Sequence, residues 1–359
     1  MNIQEVLCMK NLQTDTFSAP AKLLFIIVAV VLLTIGMRAI APILIPILFS
    51  LFATLIFAPL IYKLQKRGVH PVISIALVIL LFLVIVVVVS ILTVSAILQF
   101  NELTPAYQSN LAERVDGLME YIPYIENLDI SLGSIARDVG VFLLASLASI
   151  FSGTVSAATT VGLIIITTAF LLLDAVGISE KVQREVEERF TLAVNIKDLG
   201  GHVMDYAVIR TKTNLVMGIG TTIILLIADI EFAFLWGFLA FLLGYIPFIG
   251  LALAVIPPAI LALLQYSPLG ALAIVVAMLI VNGLTDNLLF PSLAGKGLEL
   301  TPSVVFLSLI YWGFVLGPAG ALLSTPLTMV VRTVLGSFED THWIAELMGE
   351  SKNREPLKK

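Results

Sequence analysis

Charged residues and cysteine are both scarce in this chain. Asp, Glu, Lys and Arg make up 13% of its 359 residues, whereas soluble domains carry about 25%. Cys8 is the only cysteine, which excludes an internal disulfide and a cysteine-based metal site. His70, His202 and His342 lie far apart in the chain, so no pair has the spacing of metal ligands. These absences argue against a soluble domain, a disulfide-stabilised domain and a metal centre.

Signals for nucleic acid, nucleotide or catalysis are also missing. The net charge is −5 and the basic residues do not cluster with aromatic ones, so nucleic acid is not an expected partner. Gly295-Lys296-Gly297 has neither the glycine spacing nor the hydroxyl residue of a phosphate-binding loop. No Ser/His/Asp set falls within reach in the sequence. We therefore expect neither a cofactor nor an enzyme.

Long apolar runs are what the chain has in abundance. Hydrophobic residues make up 59% of it, and its mean hydropathy is +1.06. The runs are spread along the sequence, which predicts an all-α polytopic membrane protein with about eight transmembrane elements. We expect a polar N-terminal segment at 1–20, one membrane transport domain at 21–336 and a cytoplasmic C-terminal tail at 337–359.

Charge distribution predicts the orientation of these elements. Lys63, Lys66 and Arg67 close the second span, and such a basic loop is typical of the cytoplasmic side of a plasma membrane. Both termini are then cytoplasmic. Residues 101–138 form an acidic external segment, and the apolar periodicity of 178–205 predicts an amphipathic cytoplasmic helix.

Two interrupted apolar runs predict helical hairpins. Phe232 to Thr285 contains no charged residue and no histidine, yet it is far longer than the ~20 residues of one span. Gly and Pro break it, which predicts one hairpin at 232–265 and, from a similar break, a second at 303–331. Broken helices at membrane depth mark binding sites in transporters. The tip residues that we expect to bind substrate are Tyr245, Pro247, Phe248, Gly250, Gly317, Pro318 and Gly320; alternatively, both tips are simple turns between full spans.

A few polar side chains lie within or beside these runs. Asn282 and Asp286 share one helix face because they are four residues apart, and Asn287 follows them. A carboxylate in an apolar region is a functional candidate, although Asp286 would also suit a helix end at the interface. Arg210 and Asn214 likewise share a face, and Arg210 is either a partner for Asp286 or substrate or an ordinary cytoplasmic anchor.

The order of these motifs resembles the autoinducer-2 exporter family of prokaryotic membrane proteins. The resemblance rests on the 244–250 tip (GYIPFIG) with Pro257, on the 286–291 block (DNLLFP) with Gly295 and Thr301-Pro302, and on the 317–320 block (GPAG) with Pro326. It covers nearly the whole chain. It implies two hairpins that form the substrate site, a homo-pentamer whose subunits each work by an elevator-like movement, and export of small polar molecules such as autoinducer-2.

Three hypotheses follow for function. The first is a secondary exporter of a small polar solute. The second, suggested by other relatives in the family, is a sodium or lithium/proton antiporter in which Asp286 is the exchanging carboxylate. The third is a membrane scaffold without transport, which would tolerate bulky residues at the tip glycines.

Overall fold

Helices account for nearly all of the residues that the structure describes. The structure is a computed structural model and describes residues 19–88, 90–92, 94–95, 158–178, 196–266, 268–294, 300–338 and 340–349. The helices are α1 (Ala19–Ala39), α2 (Ala41–Lys66), α3 (Pro71–Leu92), α4 (Ala158–Ile178), α5 (Ile196–Ile227), α6 (Ala233–Leu243), α7 (Ile249–Gln265), α8 (Pro268–Leu284), α9 (Pro302–Gly336) and α10 (His342–Met348). The expected acidic segment 101–138 lies outside the described residues, as do residues 1–18, 179–195 and 350–359.

The described part confirms the predicted all-α membrane class. Four helices in it are long and apolar enough to cross a bilayer, and they start at Ala41, Pro71, Pro268 and Pro302. Exposed apolar side chains cover α1 and α3, as a lipid-facing surface requires. Within the described ranges there is no β-strand, only an isolated bridge between Leu300 and Gly349.

Helix α5 runs without a break from the end of the expected amphipathic segment into the fifth span. It begins at Ile196 and ends at Ile227, so the boundary expected at residue 205 falls inside one helix. The charged first part and the apolar second part are one rigid rod, about 48 Å long for its 32 residues. The distance between two residues along the α5 axis therefore follows from their numbers, at about 1.5 Å per residue.

Helix α6 packs along α5, and helix α7 lies antiparallel against α6. At the closed end, Gly250 approaches the carbonyl group of Leu243. Further along, Ala240 and Ala254 share one apolar cluster. At the open end, the Tyr266 hydroxyl donates a hydrogen bond to the Ala228 carbonyl oxygen at 2.6 Å. We call this pair of helices, residues 233–265, hairpin 1.

The closed end of hairpin 1 lies far from its open end along the axis of α5. The open end is held at Ala228, and the closed end is level with Arg210, whose side chain binds the Gly244 carbonyl. The 18 residues of α5 between these two heights correspond to about 27 Å. Since a hydrocarbon core is about 30 Å thick, hairpin 1 is long enough to reach almost the opposite face of the membrane.

Helix α9 also folds back on itself. Gly317 has φ 66° and ψ −151°, a conformation that belongs to glycine. The Trp312 indole nitrogen donates a hydrogen bond of 3.0 Å to the Thr328 hydroxyl. On a straight helix these two residues would be about 24 Å apart, so the arms 302–316 and 318–336 must lie against each other. We call this element hairpin 2.

Hairpin 2 is anchored at both of its ends. Near its turn, Trp312 and Leu316 pack on Met37, Ala41 and other residues around the junction of α1 and α2. At its base, the backbone N–H of Thr301 donates to the Met348 carbonyl oxygen at 3.0 Å. Part of the predicted C-terminal tail is therefore a helix, α10, that docks beside the base of hairpin 2.

Candidate functional site

An ion pair lies at the closed end of hairpin 1. The Arg210 Nη1 atom on α5 is 2.7 Å from the Asp286 Oδ1 atom at the end of α8. The Arg210 side chain is 13% exposed and the Asp286 side chain is 36% exposed. Because the Asp286 carboxylate keeps access from one side, the pair is neither fully sequestered nor a free surface pair. Of the alternatives considered for Arg210, the geometry shows the contact with Asp286.

The same guanidinium group holds the hairpin backbone. The Arg210 Nε atom donates to the Gly244 carbonyl oxygen at 2.9 Å, and Nη2 donates to the same oxygen. Gly244 ends helix α6, where carbonyl groups have no partner in the helix. Arg210 therefore satisfies a helix-end carbonyl and a carboxylate at once, with the Phe290 ring 5.6 Å from the guanidinium carbon.

Asp286 is positioned by a change in helix type. The five residues Thr285–Leu289 form a π-helical turn that continues α8, and Phe290–Ala294 returns to α-helix. π-helical turns are rare in proteins, and those that occur frequently lie at functional sites. The Asn282 Nδ2 atom lies 3.4 Å from the Asp286 Oδ2 atom and 3.2 Å from the Met217 sulfur. Arg210 and Asn282 thus approach different oxygens of one carboxylate.

Tyr245 connects the tip to two other helices. Its hydroxyl is 2.6 Å from the Thr211 hydroxyl on α5. Its ring meets Phe52 of α2 edge-on, with ring centroids 5.8 Å apart. Thr211 is adjacent to Arg210, so one turn of α5 binds the tip through both a charged and a neutral side chain.

The turn of hairpin 1 contains a strained residue. Phe248 has φ 60° and ψ −53°, and the Ile249 N–H donates to the Pro247 carbonyl oxygen at 2.6 Å. This is a γ-turn with positive φ, which is rare because a side chain crowds the backbone there. The exposed Phe248 ring meets Phe306 of hairpin 2 edge-on, with centroids 5.8 Å apart. Strain at this position suits a segment that changes conformation.

The turn of hairpin 2 lies at a different height. Phe306 marks the level of the first tip, and Gly317 lies 11 residues further along the same arm, about 16 Å away. Helix α2 gives a similar distance, because Phe52 contacts Tyr245 whereas Ala41 packs near the second turn. The structure therefore does not bring the two tips to one point.

The remaining predicted site residues lie either around the first tip and the ion pair or at the second turn. Asn214 is buried directly beside Gly244, and Gly250 closes the two arms of hairpin 1. Asn287 is exposed on the π-helical turn. Pro318 and Gly320 stay with Gly317 at the second turn, Gly320 against the carbonyl group of Trp312.

Several contacts were not foreseen from the sequence. Gly244, Phe290 and Thr211 were not expected to contact the ion pair or the tip. A signal was present for Gly244, since a glycine that ends an apolar helix exposes a carbonyl group. The π-helical turn has no comparable signal in TDNLL, and it decides where the Asp286 carboxylate points.

The chemistry of this cluster is electrically balanced. One guanidinium and one carboxylate neutralise each other, and hydroxyl, amide and carbonyl groups surround them. Within the ranges that the structure describes, no group of three His, Cys, Asp or Glu residues could hold a metal ion. The cluster can form hydrogen bonds with a small polar molecule or exchange a monovalent cation or proton at Asp286.

The described part is all-helical, and an ion pair in it holds the end of a broken helix, an arrangement that is common at binding sites of transporters. The family model described as AI-2E family transporter matches residues 24–340. The chain therefore belongs to the AI-2E family of transporters.

Relatives of nearly equal length support this assignment. The chain is 29% identical to the AI-2 transport protein TqsA of Escherichia coli K12, covering 92% of this chain and 96% of the relative. It is 32% identical to a putative transport protein of Haemophilus influenzae over 90% of this chain and 95% of that one. It is 27% identical to the putative transport protein YhhT of E. coli K12, with 92% and 94% covered. The family and these relatives are described as transporters rather than enzymes.

Proposed function

We propose that this protein is a secondary transporter of the plasma membrane that exports a small polar solute such as autoinducer-2. The single observation that carries this is the Arg210 side chain, which binds both Asp286 and the Gly244 carbonyl at the hairpin 1 tip. An ion pair inside an apolar domain is costly unless it serves a purpose, and here it holds a broken helix. The similarity to TqsA, an AI-2 transport protein, supports autoinducer-2 as the first solute to test.

The packing supports an elevator-like movement of hairpin 1. Helices α5 to α8 share an apolar cluster around Trp236, Leu261 and Met278. Helices α2 to α4 share a different cluster around Ile61, Val78 and Leu172. Hairpin 1 contacts its surroundings through two edge-on aromatic pairs, Phe52 with Tyr245 and Phe248 with Phe306. Such contacts can slide at little cost, which supports a movement of hairpin 1 relative to α2 and hairpin 2.

We also propose cytoplasmic termini and assembly as a homo-oligomer, with a pentamer suggested by family resemblance. The basic end of α2, at Lys63 and Lys66, supports the orientation. The extensive exposed apolar surface of the single chain leaves room for subunit contacts as well as lipid.

The second candidate is a monovalent cation/proton antiporter. One observation favours it: the Asp286 carboxylate is 36% exposed although it carries an ion pair, so a proton or sodium ion could reach it. The Asn282 amide near Oδ2 would then turn its oxygen toward the cation. In this case Asp286 is the exchanging carboxylate, whereas in the exporter it serves as the partner of Arg210.

Reconstituted protein with Asp286→Asn and Arg210→Gln separates the candidates. For the exporter we expect autoinducer-2 counterflow in wild-type liposomes and a loss of more than tenfold in both variants. Arg210→Gln leaves the tip without its charged partner, and Asp286→Asn leaves the Arg210 guanidinium without its carboxylate. Sodium-driven proton movement that vanishes in Asp286→Asn, without solute flux, would instead establish the antiporter. Arg38→Gln is the matched control, because Arg38 contacts only the Phe314 ring among the interactions described for it.

A further inference from the structure

Helix α10 is held at the base of hairpin 2 in one orientation. The backbone N–H of Thr301 donates to the Met348 carbonyl oxygen at 3.0 Å, and the Arg332 Nε atom donates to the Ala345 carbonyl oxygen at 3.3 Å. Ala345 is buried, and its Cβ atom would lie 3.4 Å from a Cβ added at Gly336. The side of α10 that carries Ala345 and Met348 therefore packs on the protein.

The opposite side of α10 carries two exposed apolar side chains. Trp343 is 60% exposed and Leu347 is 68% exposed. They share one face because they are four residues apart, and each is two residues from Ala345, which places them on the far side of the helix. A third face is polar, since His342 Nδ1 and Glu346 Oε1 lie 3.6 Å apart and both side chains are exposed. Helix α10 thus has a protein-facing side, an apolar side and a polar side.

Helix α5 indicates the depth at which α10 lies. Met348 packs on the apolar cluster that contains Val203 of α5. Asp229 and Glu231 follow the other end of α5, and such charges mark the opposite surface of the hydrocarbon core. The 25 residues from Ala228 to Val203 span about 37 Å, more than the ~30 Å of the core but less than the roughly 40 to 45 Å of core and headgroups together. Helix α10 therefore lies at the depth of the lipid headgroups.

We propose that Trp343 and Leu347 insert into the headgroup layer of the membrane and anchor the base of hairpin 2 to the lipid surface. This inference rests on the membrane class of the protein and not on the proposed solute. Tryptophan favours this layer because its ring is apolar and its indole N–H can bind headgroup oxygens. The polar face of α10 then remains in water, as in other interfacial helices. The hydrogen bonds at Thr301 and Arg332 connect the anchor to both arms of hairpin 2.

The fluorescence of Trp343 tests this location. The chain has three tryptophans, and the other two, Trp236 and Trp312, are buried. The difference between the spectra of the parent protein and Trp343→Phe isolates the emission of Trp343. In liposomes with the full chain, this emission should lie at shorter wavelength than that of tryptophan in water. A phospholipid with a nitroxide on its headgroup should quench it more strongly than acrylamide in the water does.

Two contrary results are possible in this experiment. Quenching by acrylamide alone would place Trp343 in water. Quenching by neither agent would place it in a contact between subunits. Either result would overturn the lipid anchor, and neither would bear on the transport function.

A pair of double variants tests whether the lipid surface holds the helix. Trp343→Ser with Leu347→Ser removes the apolar face, whereas His342→Ser with Glu346→Ser changes the polar face of the same helix and is the matched control. All four side chains are exposed, so both variants should fold. In liposomes we expect amide hydrogen exchange to become about tenfold faster in the first variant only, because it loses the apolar contact with lipid.

The Thr301 amide gives a local readout of the same effect. Its N–H is bound to the Met348 carbonyl oxygen, so it should exchange faster when α10 detaches from the base of hairpin 2. An equal change in both double variants, at Thr301 and within α10, would mean that the lipid surface does not hold this helix and would overturn the anchor.

Discussion

The two hairpins have the same sequence signature but are held in different ways. The turn of hairpin 1 is bound by the Arg210 guanidinium and by the Tyr245 hydroxyl, both through polar contacts to α5. The turn of hairpin 2 is bound mainly by packing of Trp312 and Leu316 on α1 and α2, with one hydroxyl contact of 3.0 Å between Tyr311 and Thr34 of α1. Polar contacts depend on charge and can be exchanged for a ligand, whereas apolar packing cannot. We therefore propose that hairpin 1 is the gate and that hairpin 2 is the more fixed element.

The largest expected effects come from the glycines that close the arms, since both hairpins depend on them equally. A Cβ at Gly250 would lie 2.8 Å from the Leu243 carbonyl carbon, and a Cβ at Gly320 would lie 2.7 Å from the Trp312 carbonyl carbon. Backbone cannot move aside as a side chain can. Gly250→Ala and Gly320→Ala should each destabilise the protein by about 3 kcal/mol, measured as a lower melting temperature and a lower yield of folded protein.

Gly313→Ala is the control for this prediction. An added Cβ there would meet only the Ala321 Cβ at 4.0 Å, an ordinary contact, so stability should change little. If Gly250→Ala and Gly320→Ala behaved like Gly313→Ala, the close packing of the arms would be wrong.

A smaller effect should separate the two turns. Gly317 has no atom within 4 Å of an added Cβ, so Gly317→Ala brings no clash, only the cost of a glycine conformation at φ 66°. That strain is about 1 to 3 kcal/mol. Because the second turn is the fixed element, we expect a lower melting temperature with a transport rate per folded protein that is unchanged.

Gly162→Ala in helix α4, where an added Cβ also meets no atom within 4 Å, is the matched control and should not lower the melting temperature. A Gly317→Ala variant that folds normally but transports more slowly would contradict the comparison, because it would make the second turn a moving part as well.

The sequence was sufficient for the membrane class, which depends on composition, whereas for Arg210 it left two alternatives, a partner for Asp286 or substrate and a cytoplasmic anchor. Arg210 and Asp286 are among the rare ionisable residues of the apolar runs, so few other partners were available. The heights of the two tips were not predictable. They depend on the position of each hairpin along its neighbouring helices. That position is set by packing between residues distant in sequence, such as Phe306 with Phe248.

The smallest expected effect concerns the strain in the first turn. Phe248 has a positive φ, at which glycine is unstrained. The order of stability of Phe248→Gly and Phe248→Ala should therefore be the reverse of the usual one. Both lose the ring contact with Phe306, but the glycine variant should be the more stable by about 1 kcal/mol, measured by thermal unfolding. At an ordinary helical position alanine would be the more stable. Equal stability of the two variants, or the ordinary order, would mean that the first turn holds no strain and that hairpin 1 has no intrinsic tendency to open.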